Sequence, residues 1–148
     1  MVAGLLALIV AAIFSGAAVY INIAEQPARL SLDDRALLAE WQPAYKHGLA
    51  MQASLVVVGF VLGLVAWWLT DNGRWLFGAV ILGANWPYTL IGIRPTNDRL
   101  MAIAPAHAGP PTRALIRQWG RLHAVRTSLG FAATLVFLWA ALTALAVG

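Results

Sequence analysis

Four runs of apolar residues, 2–24, 48–70, 74–94 and 124–147, alternate with two segments, 25–47 and 95–123, in which prolines and charged side chains collect. A helix needs about 20 residues to cross a hydrocarbon core, and each run is long enough. The pattern predicts an all-α integral membrane protein, a four-helix transmembrane bundle forming a single domain over residues 1–148. Short interfacial helices are expected on the side that carries the two polar segments. The first run is expected to be a retained span: no Lys or Arg precedes it, and it exceeds the about 7–15 apolar residues of a signal core.

Within the runs, small residues mark where helices approach. Ala7, Ala11 and Ser15 repeat at four-residue spacing, and Gly59 and Gly63 form a GxxxG pair expected to pack inside the bundle; such faces also permit a homo-oligomer. The polar segments carry stop and start signals. Pro27 should end or kink the first helix, because it lacks a donor and restricts Gln26. Ser31, Asp33 and Asp34 read as a helix start, and Leu37, Leu38, Trp41 and Tyr45 give an amphipathic interfacial segment that Pro43 breaks or follows with a new helix. Thr112 is placed to cap the helix leading into the fourth run. In the third run Pro87 frees the carbonyl of Gly83 and predicts a kink near Asn85. On a regular helix Asn85, Thr89, Gly92 and Thr96 share one face.

Composition agrees with this class: 61% of residues are hydrophobic and 11% charged, against about 25% charged in a soluble domain. The net charge of +4 does not point to nucleic acid, because the basic residues lie between apolar spans. All Lys and Arg except Arg74 fall on the side of the two polar segments. The positive-inside rule makes that side cytoplasmic, with both termini outward in the cell's inner (plasma) membrane. Arg113, Arg117 and Arg121 share a helix face suited to anionic lipid headgroups. Trp67 and Trp68 fit an outer aromatic belt. With no cysteine, a disulfide framework and thiolate chemistry are excluded.

Candidate chemistry collects at the basic end. Glu25 and Arg29, four residues apart, are either an interfacial ion pair or a catalytic carboxylate with its cation. Asn85 and Thr89 either line a pocket at the bend of the third span or hydrogen-bond across the bundle. Trp119, His123 and Arg126 lie on the helix face opposite Arg113 and Arg117 and point toward the bundle. With Tyr45, His47 and Asn97 they make one constellation of candidate site residues. A His beside an Arg and a carboxylate can hold and move a proton, and a cation stabilises a developing oxyanion. Two histidines on different spans could bind a metal, but no ligand set of HExxH type supports one, and the expectation is no metal. His107 sits in a Pro- and Gly-rich loop and is expected to be exposed.

The stretches EQPARL (25–30), WQPAYKHGLAMQASL (41–55), NWPYTLIGIRPTNDRL (85–100) and WGRLHAVRTSLGFAATL (119–135) resemble the anthrone oxygenase family of small four-span membrane proteins. The resemblance covers nearly the whole chain, and PTNxxL followed by WxxLHxxR is its most specific part. It implies that Pro27, Arg29, Asn85, Thr89, Pro95, Asn97, Trp119, His123 and Arg126 carry the family's pattern. It also implies a cofactor-free oxidation of an anthrone to an anthraquinone. On this reading His123, Arg126, Arg29 and Glu25 form the catalytic set, and Asn85, Thr89, Asn97, Trp119, Tyr45 and His47 bind the aromatic substrate. Two other readings stay open: a non-enzymatic protein that binds a lipid, quinone or similar amphiphile, and a bundle in which the polar residues serve only folding.

Overall fold

A computed structural model describes residues 1–145. Four long helices account for most of them: α1 (Val2–Leu30), α2 (Asp34–Thr70), α3 (Gly73–Met101) and α4 (Pro110–Leu145). Each is long and apolar enough to cross a membrane. They run up and down in sequence, α1 packing on α2 and α4, and α3 completing the ring between α2 and α4. The apolar runs lie inside these helices; positions 146 and 147 of the fourth lie outside the described residues.

The polar segments do not form separate interfacial helices. They extend the spanning helices beyond the apolar runs, apart from one 3₁₀ turn at Pro105–His107. Asp33 caps α2 by accepting from the N–H groups of Arg35 (3.0 Å) and Ala36 (2.9 Å), and the helix continues through Pro43 without a break. α4 begins at Pro110, so Thr112 is inside its first turn, where its hydroxyl accepts from the Gly109 N–H at 3.3 Å. Arg113 is not free for lipid. Its Nε donates to Asp34 Oδ1 and its terminal nitrogens to the carbonyls of Leu30 and Leu32, clamping α4 to the α1–α2 turn. Arg117 and Arg121 are exposed.

The far half of the bundle is packed through small residues. Ala7, Ala11 and Ser15 are buried as their spacing predicts, and the Ser15 and Thr134 hydroxyls meet at 2.9 Å across α1 and α4. Gly59 and Gly63 face inward: side chains there would strike Leu82, Ala79 and Phe137. The GxxxG pair is therefore used inside the bundle. At the basic end a second core forms from Leu37, Leu38, Trp41, Ile93, Leu100, Ile116 and Trp119. Between the two cores lies a layer of buried polar side chains that includes Gln52, Asn85, Asn97, His123 and Arg126.

Three prolines shape that layer. A proline ring inside a helix collides with the carbonyl four residues back. For Pro27 that is Ile23, within a π-helical turn at Ile21–Glu25; for Pro95 it is Ile91, within a π-helical turn at Thr89–Ile93. The wider turn moves the carbonyl aside, so α1 absorbs Pro27 instead of ending there. For Pro87 it is Gly83, where the helix breaks at Ala84. The carbonyl that Asn85 satisfies is that of Leu82, to which its Nδ2 donates at 3.0 Å. The extra residue in the second π turn also shifts the register of α3. The inner stripe runs Asn85, Thr89, Ile93, Asn97, with Thr96 also buried beside it, and Gly92, which a regular helix would place on it, is only partly buried.

Candidate functional site

Arg29 is buried and doubly paired. Its guanidinium bonds the carboxylate of Glu25 one turn back and donates to Glu40 Oε1 at 3.2 Å across the α1–α2 interface. It also lies over the Trp119 ring, 5.6 Å from the centroid. The ion-pair reading of Glu25 and Arg29 is therefore the one this geometry favours, with Glu40 as a third member. Trp119 stands edge-on to Trp41 at 5.6 Å and stacks on His123 at 5.0 Å.

His123 is 2% exposed and its ring orientation is fixed by Asn22. The Asn22 Nδ2 donates to the carbonyl of Gly120 at 2.9 Å, which leaves the amide oxygen facing the other way. That oxygen is 2.8 Å from His123 Nδ1 and accepts from the Thr127 hydroxyl at 2.7 Å. An amide oxygen only accepts, so Nδ1 carries the hydrogen and the lone pair of the neutral ring sits on Nε2. His123 lines a small recess of about 30 Å³ together with Glu25, Arg29, Gln52, Trp119 and Arg126.

Beside it is a cavity of about 430 Å³ between α2 and α3, walled by Leu49, Ala53, Asn85, Trp86, Thr89 and Asn97 among others. Tyr45, Leu49, Asn97 and Arg126 line both spaces and form the partition between them. Among the described residues, Arg126 is the only one from α4 in the larger cavity. It is 7% exposed and, among the described residues, forms no ion pair; its guanidinium lies 5.8 Å from the Phe14 centroid. A buried cation without a counter-ion carries a desolvation cost of several kcal/mol that an anion in the cavity would offset. Asn85 and Asn97 are each 2% exposed at the cavity wall, and the Thr89 hydroxyl donates to the carbonyl of Asn85 at 2.7 Å. Tyr45 stacks on Trp41 at 4.9 Å with its ring nearly parallel, which gives the cavity an aromatic wall.

The structure thus brings together Tyr45, Asn85, Thr89, Asn97 and Arg126 at the larger cavity, and Glu25, Arg29, Trp119 and His123 at the recess. His47 is exposed and lines neither space. Asn22, Glu40 and Gln52 belong to the site and were not singled out in the sequence, although Glu40 follows Leu37 on the amphipathic segment by three residues. Among the described residues no group of three or more His, Cys, Asp and Glu is placed to hold a metal.

A protein family described as anthrone oxygenase matches residues 41–136. The match takes in Tyr45, Asn85, Thr89, Asn97, Trp119, His123 and Arg126, and stops short of Asn22, Glu25 and Arg29. No curated protein and no solved structure matches the chain.

Proposed function

Because the chain belongs to the anthrone oxygenase family, we propose that it oxidises a flat, acidic aromatic that partitions into the membrane, using dioxygen at the cavity between α2 and α3. The observation that carries this reading is Arg126: a buried guanidinium without a carboxylate partner among the described residues, lining a cavity beside a histidine whose tautomer is fixed. In an anthrone the ring methylene lies across the central ring from the carbonyl, and it is acidic because its carbanion delocalises through the flanking aromatic rings onto the carbonyl oxygen as an enolate. The proton leaves toward His123 Nε2 in the adjoining recess, across the partition that Tyr45, Asn97 and Arg126 form, and Arg126 faces the oxygen on which the charge develops. Tyr45 is the stacking wall for the ring. Trp119, already in contact with Trp41 and His123, holds the histidine in place.

The electron-rich enolate then reacts with dioxygen at the former methylene carbon. One C–O bond forms, the hydroperoxide takes up a proton, and loss of water leaves a second ring carbonyl. The balance is one methylene and one dioxygen to one carbonyl and one water. Arg29 is held by Glu25 and Glu40, so its part is to fix the wall of the recess and not to meet the enolate. The site sits at the cytoplasmic end of the bundle on the expected orientation, with Arg117 and Arg121 left to meet anionic headgroups.

The test is turnover of an anthrone to its anthraquinone by the protein in proteoliposomes. His123→Ala is expected to lower kcat by about 10²–10⁴-fold with the fold intact. Wild-type turnover in that variant would refute the assignment. Tight anthrone binding with no turnover in either protein would favour the amphiphile-binding reading.

A further inference from the structure

The larger cavity is not open evenly to its surroundings. Its walls come from α2 and α3, Arg126 forms the back, and among the described residues none of the lining comes from α1. The opening is therefore the gap between α2 and α3, inside the apolar runs 48–70 and 74–94. One lip of that gap is made of small residues on α2, Ala50 and Ala53. The other is Trp86 and Leu90 on α3, which are 44% and 49% exposed. From there a shallow apolar groove continues along the outside of the bundle over Ala53, Val57, Val58 and Trp86, sharing Ala53 and Trp86 with the cavity. Toward the basic end the same opening is edged by Lys46 and by Arg94, whose Nε lies 3.6 Å from Asp98.

Polarity is thus graded along the opening. Cationic groups stand at one end, a guanidinium with no ion pair among the described residues lies at depth, and a mainly apolar groove that includes Ser54 runs away at the other end. A water-soluble anion would be met by Lys46 and Arg94 at the basic end alone, and would find no cation along the lips of Ala50, Ala53, Trp86 and Leu90. An amphiphile lying alongside lipid chains meets each part in register, its head near the basic end and its body against the groove. We infer that the cavity is filled sideways from the bilayer, through the gap between α2 and α3, by an anionic amphiphile whose charged oxygen reaches Arg126 and whose apolar body lies against Ala53, Val57 and Trp86. The inference rests on the proposal that this cavity is the ligand site, and it does not depend on the oxidation.

The experiment uses the full chain in proteoliposomes and two probes, 1-pyrenebutyrate and the uncharged 1-pyrenebutanol, followed by energy transfer from protein tryptophan to pyrene. Wild type is expected to show saturable transfer to the butyrate, with the alcohol about tenfold weaker. Ala53→Phe fills the lip and should weaken and slow butyrate binding about tenfold, whereas Leu135→Phe on the exposed surface of α4 should leave it unchanged. Trp86→Ala widens the gap and should speed binding, which keeps the inference testable should Ala53→Phe fail to fold. Arg126→Gln should abolish the preference for the carboxylate. If folded Ala53→Phe and Trp86→Ala bind at the wild-type rate and affinity while Arg126→Gln loses the preference, the cavity stands and the side entry is wrong. If wild type shows no saturable binding and no charge preference, the occupancy of the cavity fails, and the proposed site with it.

Discussion

Arg126 and His123 show how much a single buried residue can reveal. An arginine that serves stability finds a carboxylate, as Arg29 finds Glu25 and Glu40 and as Arg113 finds Asp34. Arg126 finds none among the described residues, and a guanidinium left so is a cost to the empty protein. Arg126→Met should therefore leave stability unchanged or raise it by about 1–2 kcal/mol, while affinity for an acidic aromatic falls about a hundredfold; thermal unfolding and ligand titration on the same sample check both. Asn22 acts one step back, through its contact with His123 Nδ1. Asn22→Ala frees the ring to turn, and kcat should fall about tenfold to a hundredfold with ligand affinity nearly unchanged. An equal loss in kcat and affinity would make Asn22 a contact for the ligand or a general prop of the fold. His123 and Arg126 were legible because they stand out in a greasy helix at a spacing that faces the bundle. Asn22 was not, because its partners lie about a hundred positions away and a lone Asn near a helix end carries no local signal. His47 was misplaced because α2 runs through Pro43, so that Leu37, Leu38 and Trp41 set the register, and this turns His47 outward.

At the scale of elements, the spans were readable from length and hydropathy alone, and the small-residue faces of α1 and α2 from their spacing. The π turns were not. Each follows from a proline whose ring needs room at the carbonyl four residues back, yet the same prolines are compatible with a helix end or a kink, and nothing local decides among them. Tertiary packing decides, since α1 and α3 both continue past their π turns to bury Gln26 and Arg29, or Thr96 and Asn97, against the bundle. The turn at Thr89–Ile93 is what brings Asn97 onto the stripe begun by Asn85 and Thr89. Deleting the exposed Ile91 should restore a regular helix and rotate everything beyond it by about 100°. Helix content should be kept and binding of an acidic aromatic lost, which circular dichroism and titration together would show. Retained binding would mean that the register shift has no part in the site.

The molecule as a whole divides its labour between its ends. The half built on Ala7, Ala11, Gly59, Gly63 and Phe137 is closed by backbone approach through small residues. The basic half, built on aromatic residues and an ion-pair cluster, contains the larger cavity. Charge asymmetry in the sequence pointed to the end where the larger cavity lies, and three of the four stretches of the resemblance fall within the family match over residues 41–136, with EQPARL (25–30) outside it. Which gap the cavity would use, between α2 and α3, depended on side-chain sizes across two helices and could not be read from either alone. The central claim is that this chamber holds an acidic aromatic as its anion, with Arg126 at its wall and His123 in the adjoining recess. The most direct measurement is the absorption spectrum of an anthrone bound to the protein without oxygen, at a pH where the free compound is the neutral keto form. The account predicts the enolate spectrum on wild type, reduced in Arg126→Gln and in His123→Ala, with oxidation to the quinone once air is admitted to the wild type. A bound anthrone that keeps its keto spectrum, or an enolate spectrum indifferent to both substitutions, would contradict it.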